Sequence, residues 1–82
     1  MVEIRFDKKF AILFSKIKDN SLKEKVVKQI KKISDNPEIG KPMRNIRKGT
    51  REAYISPFRL SYIYDYTTKI VCVMDLYHKD EQ

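Results

Sequence analysis

The hydrophobic spacing of this chain changes period once, near its middle, and that change limits the fold more than any other feature. Val2-Glu3-Ile4-Arg5-Phe6 alternates apolar and polar residues, which predicts a short first strand. From about Asp7 the spacing lengthens. Phe6, Phe10, Leu13, Phe14 and Ile17 fall on one face of a 3.6-residue period, so a helix is expected up to Asp19-Asn20. Ser21-Leu22-Lys23-Glu24 has capping-box spacing and predicts the start of a second helix. Leu22, Val26, Ile30 and Ile33 form its apolar stripe, and Lys23, Lys25, Lys28, Lys31 and Lys32 lie mostly off it. Asp35-Asn36-Pro37 should stop this helix, because proline cannot continue one and disfavours helical geometry in the residue before it.

Beyond Gly40-Lys41-Pro42 the period is two. Arg51–Ile55 reads as a strand and Ser56-Pro57 as a turn. In Phe58–Tyr66, Phe58, Leu60, Tyr62, Tyr64 and Tyr66 oppose Arg59, Ser61, Ile63 and Asp65. Thr67-Thr68 is the next turn. In Ile70–Tyr77, Ile70, Cys72, Met74 and Leu76 oppose Val71, Val73, Asp75 and Tyr77. The expected fold is α+β: an N-terminal strand, then an antiparallel helical hairpin packed on a mainly antiparallel sheet of three to five strands. The far face of the sheet is left for a ligand. At 82 residues the chain is expected to form one domain, 1–82.

Charge then narrows the class of partner. The chain carries +7, and between residues 41 and 59 Lys41, Arg44, Arg47, Lys48, Arg51 and Arg59 face a single acid, Glu52. Such a segment suits phosphate, since each phosphate neutralised releases counterions. Apolar runs such as Val71-Cys72-Val73-Met74 are far shorter than the roughly 20 residues of a membrane span. The first residues lack the basic and apolar regions of a signal peptide, so a cytoplasmic protein without membrane contact is expected. Cys72 is the one cysteine and His78 the one histidine, which leaves no cluster to hold a metal. Gly40 and Gly49 are too few for a phosphate-cradling loop, and no cofactor is expected.

What remains is a set of cations and phenols on the strand-rich half. Arg51 and Arg59 flank the Ser56-Pro57 turn, and Tyr77, His78 and Lys79 leave the last strand. RNA cleavage without metal needs a base for the 2′-hydroxyl, positive charge at phosphorus and an acid for the 5′-oxygen. As a strand arginine on an open sheet face, Arg59 is expected to bury little.

Gly49-Thr50-Arg51-Glu52-Ala53-Tyr54-Ile55-Ser56-Pro57-Phe58-Arg59-Leu60-Ser61-Tyr62 resembles the RelE/ParE toxin superfamily. It has that family's charged strand, tight turn and aromatic-Arg-aliphatic-x-Tyr pattern. Val71 to Lys79 is similar to the family's apolar strand running into a basic tail, and the upstream helical hairpin also matches. The resemblance implies a toxin of a type II toxin–antitoxin system, neutralised by a cognate RelB-like antitoxin. RelE-like members cleave mRNA on the ribosome, and ParE-like members inhibit DNA gyrase. By position Arg59 matches the phosphate-stabilising arginine, Lys79 the basic residue that serves as general acid, and His78 the basic position before it. Where RelE enzymes carry paired lysines this chain has Glu52 and Tyr54, so Arg51 or Lys48 is expected in their place. The terminal tyrosine of some RelE proteins has no counterpart before Gln82, and the base is unassigned. The expectation is a ribosome-dependent mRNA endonuclease with Arg59, Lys79, His78 and Arg51 in catalysis. Lys41, Arg44, Arg47, Lys48 and Tyr77 would bind RNA. The alternatives are a gyrase inhibitor and a non-catalytic nucleic-acid-binding module.

Overall fold

The computed structural model describes residues 2–43 and 49–81. Strand β1 (Glu3–Phe6) leads into α1 (Lys8–Ser15) and α2 (Asn20–Asp35). A two-residue strand β2 (Lys41–Pro42) follows, then β3 (Arg51–Ile55), β4 (Phe58–Asp65) and β5 (Ile70–His78), and a 3-10 turn at Lys79–Glu81. The sheet order is β1-β5-β4-β3-β2. β1 runs parallel to β5, which the alternation alone did not foretell, and the other pairs are antiparallel.

Both helices start on an aspartate. The Asp7 carboxylate accepts from the Lys9 N–H at 3.0 Å, and that of Asp19 from Ser21 at 2.9 Å and Leu22 at 3.4 Å. The expected Ser21–Glu24 capping box is therefore displaced by two residues. Asp19 caps as well as serine and adds a negative charge at the positive end of the helix. α1 ends at Ser15, a turn short of the expected Asp19-Asn20. From these helices Phe10, Val26 and Ile33 reach the core, beside partly buried Phe14, Leu22 and Ile30. The Lys23 ammonium lies 5.4 Å from the centre of the Phe14 ring and ties α2 to α1.

The sheet supplies Ala53, Ile55, Leu60, Tyr62, Val71, Val73 and Leu76 to the same core. Strict alternation does not allow Leu76 to share a face with Val71 and Val73. It does so because the β4–β5 register shifts: Ser61 pairs with Asp75 but Tyr62 with Val73, leaving Met74 as an extra residue. This β-bulge corrects the face assignment read for β5 and puts Asp75 and Tyr77 on the side of Arg59. No helix among the described residues is long and apolar enough to cross a membrane.

One hydroxyl fixes the end of α2 to the sheet. Tyr62 Oη accepts from the Gly40 N–H and donates to the Pro37 carbonyl, both at 2.8 Å. The fit excludes any side chain at residue 40, where a Cβ would meet Tyr62 Oη at 2.5 Å. Tyr62→Phe keeps the ring and leaves the buried Gly40 N–H without this acceptor, so it should lower stability by about 1–3 kcal/mol. Burial raises the phenol above its usual pKa of 10.0, while the Gly40 N–H and the Arg51 charge pull the other way. The unfolded chain then gives up this proton first. Wild type should lose stability as pH rises above about 10, and Tyr62→Phe should lose less. Urea midpoints measured between neutral and alkaline pH test both outcomes.

Candidate active site

The β3–β4 hairpin turns at Ser56-Pro57, a cis peptide. Its register sets Tyr54 opposite Arg59, and β5 sets Tyr77 opposite Arg59 on the other side. The chain leaving β5 is tied to the same turn, because the Lys79 N–H donates to the Pro57 carbonyl at 3.1 Å. Tyr54, Ser56, Pro57, Phe58, Arg59 and Lys79 thus line one depression of about 230 Å³. Two residues distant in sequence are brought to it as cations by hairpin register and one backbone hydrogen bond.

Arg59 is held more tightly than a strand arginine on an open face would be. Its guanidinium carbon lies 4.9 Å from the centre of the Tyr54 ring, and Nη1 is 3.5 Å from Glu52 Oε1. The Arg59 side chain is 22% exposed and that of Glu52 only 4%. The expectation that Arg59 buries little is corrected: a buried carboxylate and an aromatic face fix the plane of the guanidinium. Behind them Glu52, Ser61 and Asp75 form a buried polar row across three strands, with Asp75 Oδ2 accepting from Lys9 Nζ at 3.1 Å.

The other expected site residues divide. Arg51 is turned elsewhere: Nη1 donates to the carbonyls of Glu38 at 3.0 Å and Gly40 at 2.8 Å, so it braces the turn after α2. His78 pairs with Phe58 on the opposite side of β5 from Tyr77. Its ring packs edge-on against Phe58 at 5.6 Å, and Nδ1 accepts from the Asp80 N–H at 3.2 Å. Neither Arg51 nor His78 lines the depression. Tyr77 shares the face of Arg59 but is 6% exposed, which leaves no ring surface for a base. Lys41 is exposed on β2, opposite Glu52. Arg44, Arg47 and Lys48 lie outside the described residues. Tyr54 and Glu52 were not among the expected site residues. A two-residue turn at Ser56-Pro57 already implies that Tyr54 faces Arg59, so the signal was present in the hairpin spacing.

A family model for the ParE toxin of type II toxin–antitoxin systems matches residues 4–82. Among solved structures, the chain is similar to a RelBE toxin–antitoxin complex of Mycobacterium tuberculosis. The identity is 25%, the TM-score 0.83, and the match covers 95% of this chain and 98% of that one. It is also similar to the intact Escherichia coli RelBE complex, with 16% identity, a TM-score of 0.81 and coverage of 95% and 96%. A YoeB/ParE toxin of Agrobacterium tumefaciens gives 14%, 0.83, 94% and 98%. No curated protein matches the sequence.

The geometry bears on how Arg59 can be probed. Arg59→Ala removes the arginine partner of a buried carboxylate and should lower stability by roughly 3 kcal/mol, the low end for breaking a buried pair. In a Glu52→Gln background the same change should cost at least about 1 kcal/mol less. Additive effects in urea titrations of the four proteins would contradict the pairing.

Proposed function

Since the chain belongs to the ParE toxin family of type II toxin–antitoxin systems, within the RelE/ParE superfamily, we propose that it is an endoribonuclease toxin that cleaves mRNA on the ribosome. The observation that carries this reading is the meeting of Arg59 and Lys79 in one depression beside an exposed tyrosine. Attack of a ribose 2′-oxygen on the adjacent phosphorus builds negative charge on the phosphate oxygens, and the Arg59 guanidinium would hold two of them. The bond to the 5′-oxygen breaks as the Lys79 ammonium delivers a proton, and the products are a 2′,3′-cyclic phosphate and a free 5′-hydroxyl. The group that takes the 2′-hydroxyl proton is unassigned. All steps use side chains and RNA alone, and the site of action is the cytoplasm.

A second reading, gyrase inhibition without cleavage, is favoured by one observation. The Glu52 carboxylate beside Arg59 partly neutralises the charge a phosphate would need, where RelE enzymes have lysines.

For the antitoxin, an apolar groove of about 290 Å³ lies between β1, α1 and α2, lined by Phe6, Phe10, Phe14, Val27 and Ile30. Lys23, Lys28 and Lys31, with the single acid Glu24, border it around Phe14 and Val27. This suits an acidic amphipathic helix of a RelB-like antitoxin. Association should accelerate as salt is lowered, measured by stopped-flow with the neighbouring gene's product, and a rate indifferent to salt would count against it.

Single-turnover cleavage of ribosome-bound mRNA tests the main reading. Lys79→Ala should slow it roughly 100- to 1000-fold, the range for losing one group aimed at developing charge, while ribosome binding persists. Wild-type protein that leaves mRNA intact but blocks DNA supercoiling would establish the second reading.

A further inference from the structure

The depression around Arg59 has a neighbour. Lys25, Lys28, Gln29 and Lys32 of α2 line a second one of about 330 Å³ together with Tyr54, Ile55 and Ser56. Tyr54 and Ser56 are common to both, so the tyrosine forms the wall between them. The lysines stand at i, i+3 and i+7, one stripe of a helix whose other side buries Val26 and Ile33. All three are exposed, and no carboxylate lines this depression. β2 pairs only with Arg51 and Glu52, so no described strand covers the outer edge of β3 beside Tyr54 and Ile55.

Charge and ring together select the occupant. Lys25 to Lys32 spans about 10 Å of helix axis at 1.5 Å per residue, or about three nucleotides at the 3.4 Å rise of a stacked strand. Arg59 lies against the Tyr54 ring, yet Tyr54 remains 61% exposed, which leaves ring surface on which a base can stack. Three ammonium groups in a row with an open phenol at one end suit a single-stranded polyanion that carries bases.

We propose that the RNA strand passing through the Arg59–Lys79 cleft continues over Tyr54 and along Lys25, Lys28 and Lys32, which hold successive phosphates. This rests on the RNA-cleaving reading of the cleft. The groove sets the path of the strand on one side of the scissile bond, and it acts on affinity rather than on the chemical step.

The test uses the full chain and a short single-stranded RNA bearing 2′-O-methyl riboses, which cannot form a cyclic phosphate. Anisotropy titrations over a range of salt compare three proteins: wild type, a groove variant (Lys25→Gln, Lys28→Gln, Lys32→Gln) and a control variant (Lys8→Gln, Lys16→Gln, Lys18→Gln). Circular dichroism confirms that each is folded. The groove variant should bind at least 10-fold more weakly than the control variant. Its slope of log affinity against log salt should be shallower than wild type by about 2, the value for three single-strand phosphates. Tyr54→Leu should weaken binding without changing that slope. A groove variant that binds RNA like the control variant overturns the proposal, as does one that loses only the antitoxin. Unmodified mRNA left intact by wild type, with the groove effect present, refutes the cleavage reading and leaves the groove standing as an RNA-binding surface.

Discussion

Strand β4 is hydrogen-bonded along both edges, to β3 and to β5, and every other element takes its position from that double pairing. On the helix side, Leu60 and Tyr62 stand between Ala53 and Arg51 of β3 and Leu76 and Val73 of β5. On the other side, Arg59 stands between Tyr54 and Tyr77. The extra residue at Met74 reconciles the two. It lets Val71, Val73 and Leu76 all enter the core while Asp75 and Tyr77 join the polar face. Without it, either Val71 and Val73 would leave the core, or Leu76 would leave it and Tyr77 would leave the row of Arg59. The strand also fixes the helices, because the Tyr62 hydroxyl binds the Pro37–Gly40 turn where α2 ends. Core packing and the placing of the cations are therefore consequences of one register.

The cleft built on that register restrains its arginine, because Glu52 and Tyr54 both contact the guanidinium. Under the proposed function this restraint would reduce the entropy lost on binding a phosphate but set a carboxylate in competition with it. The same helix that caps the core carries two surfaces of different character. Val27 and Ile30 open into the apolar groove with α1, and Lys25 and Lys32 open toward β3. Lys28 borders the lysine groove and the depression around Phe14. Under the proposed function, an acidic helix seated on α1 and α2 would thus bring negative charge to the edge of the proposed RNA path.

Much of this was legible in the sequence where a period was sustained. Val26 and Ile33 are core residues as their spacing implied, β3 begins and ends at Arg51 and Ile55, and Asn36-Pro37 stops α2. The bulge was not legible, because an added residue within an apolar run such as Ile70–Met74 leaves no mark on composition. The role of Arg51 was not legible either. An arginine before a turn looks alike whether it points to a phosphate or, as here, to the carbonyls of Glu38 and Gly40. Among the expected site residues, Arg59 and Lys79 line one depression, and His78 is held on the other side of β5 by Phe58. Tyr54 and Glu52 matter because hairpin register puts them beside Arg59, a long-range fact that strand patterning carries only once the turn is placed.

The central claim is that Arg59 meets the scissile phosphate. It is tested most directly by the structure of the wild-type protein on a ribosome whose mRNA has a single 2′-deoxyribose at the cleavage position. The account predicts the Arg59 guanidinium within about 3 Å of two oxygens of that phosphate, with the Lys79 ammonium at hydrogen-bond distance from the 5′-oxygen. A phosphate bound elsewhere, with Arg59 still on Glu52 and Tyr54, would contradict it.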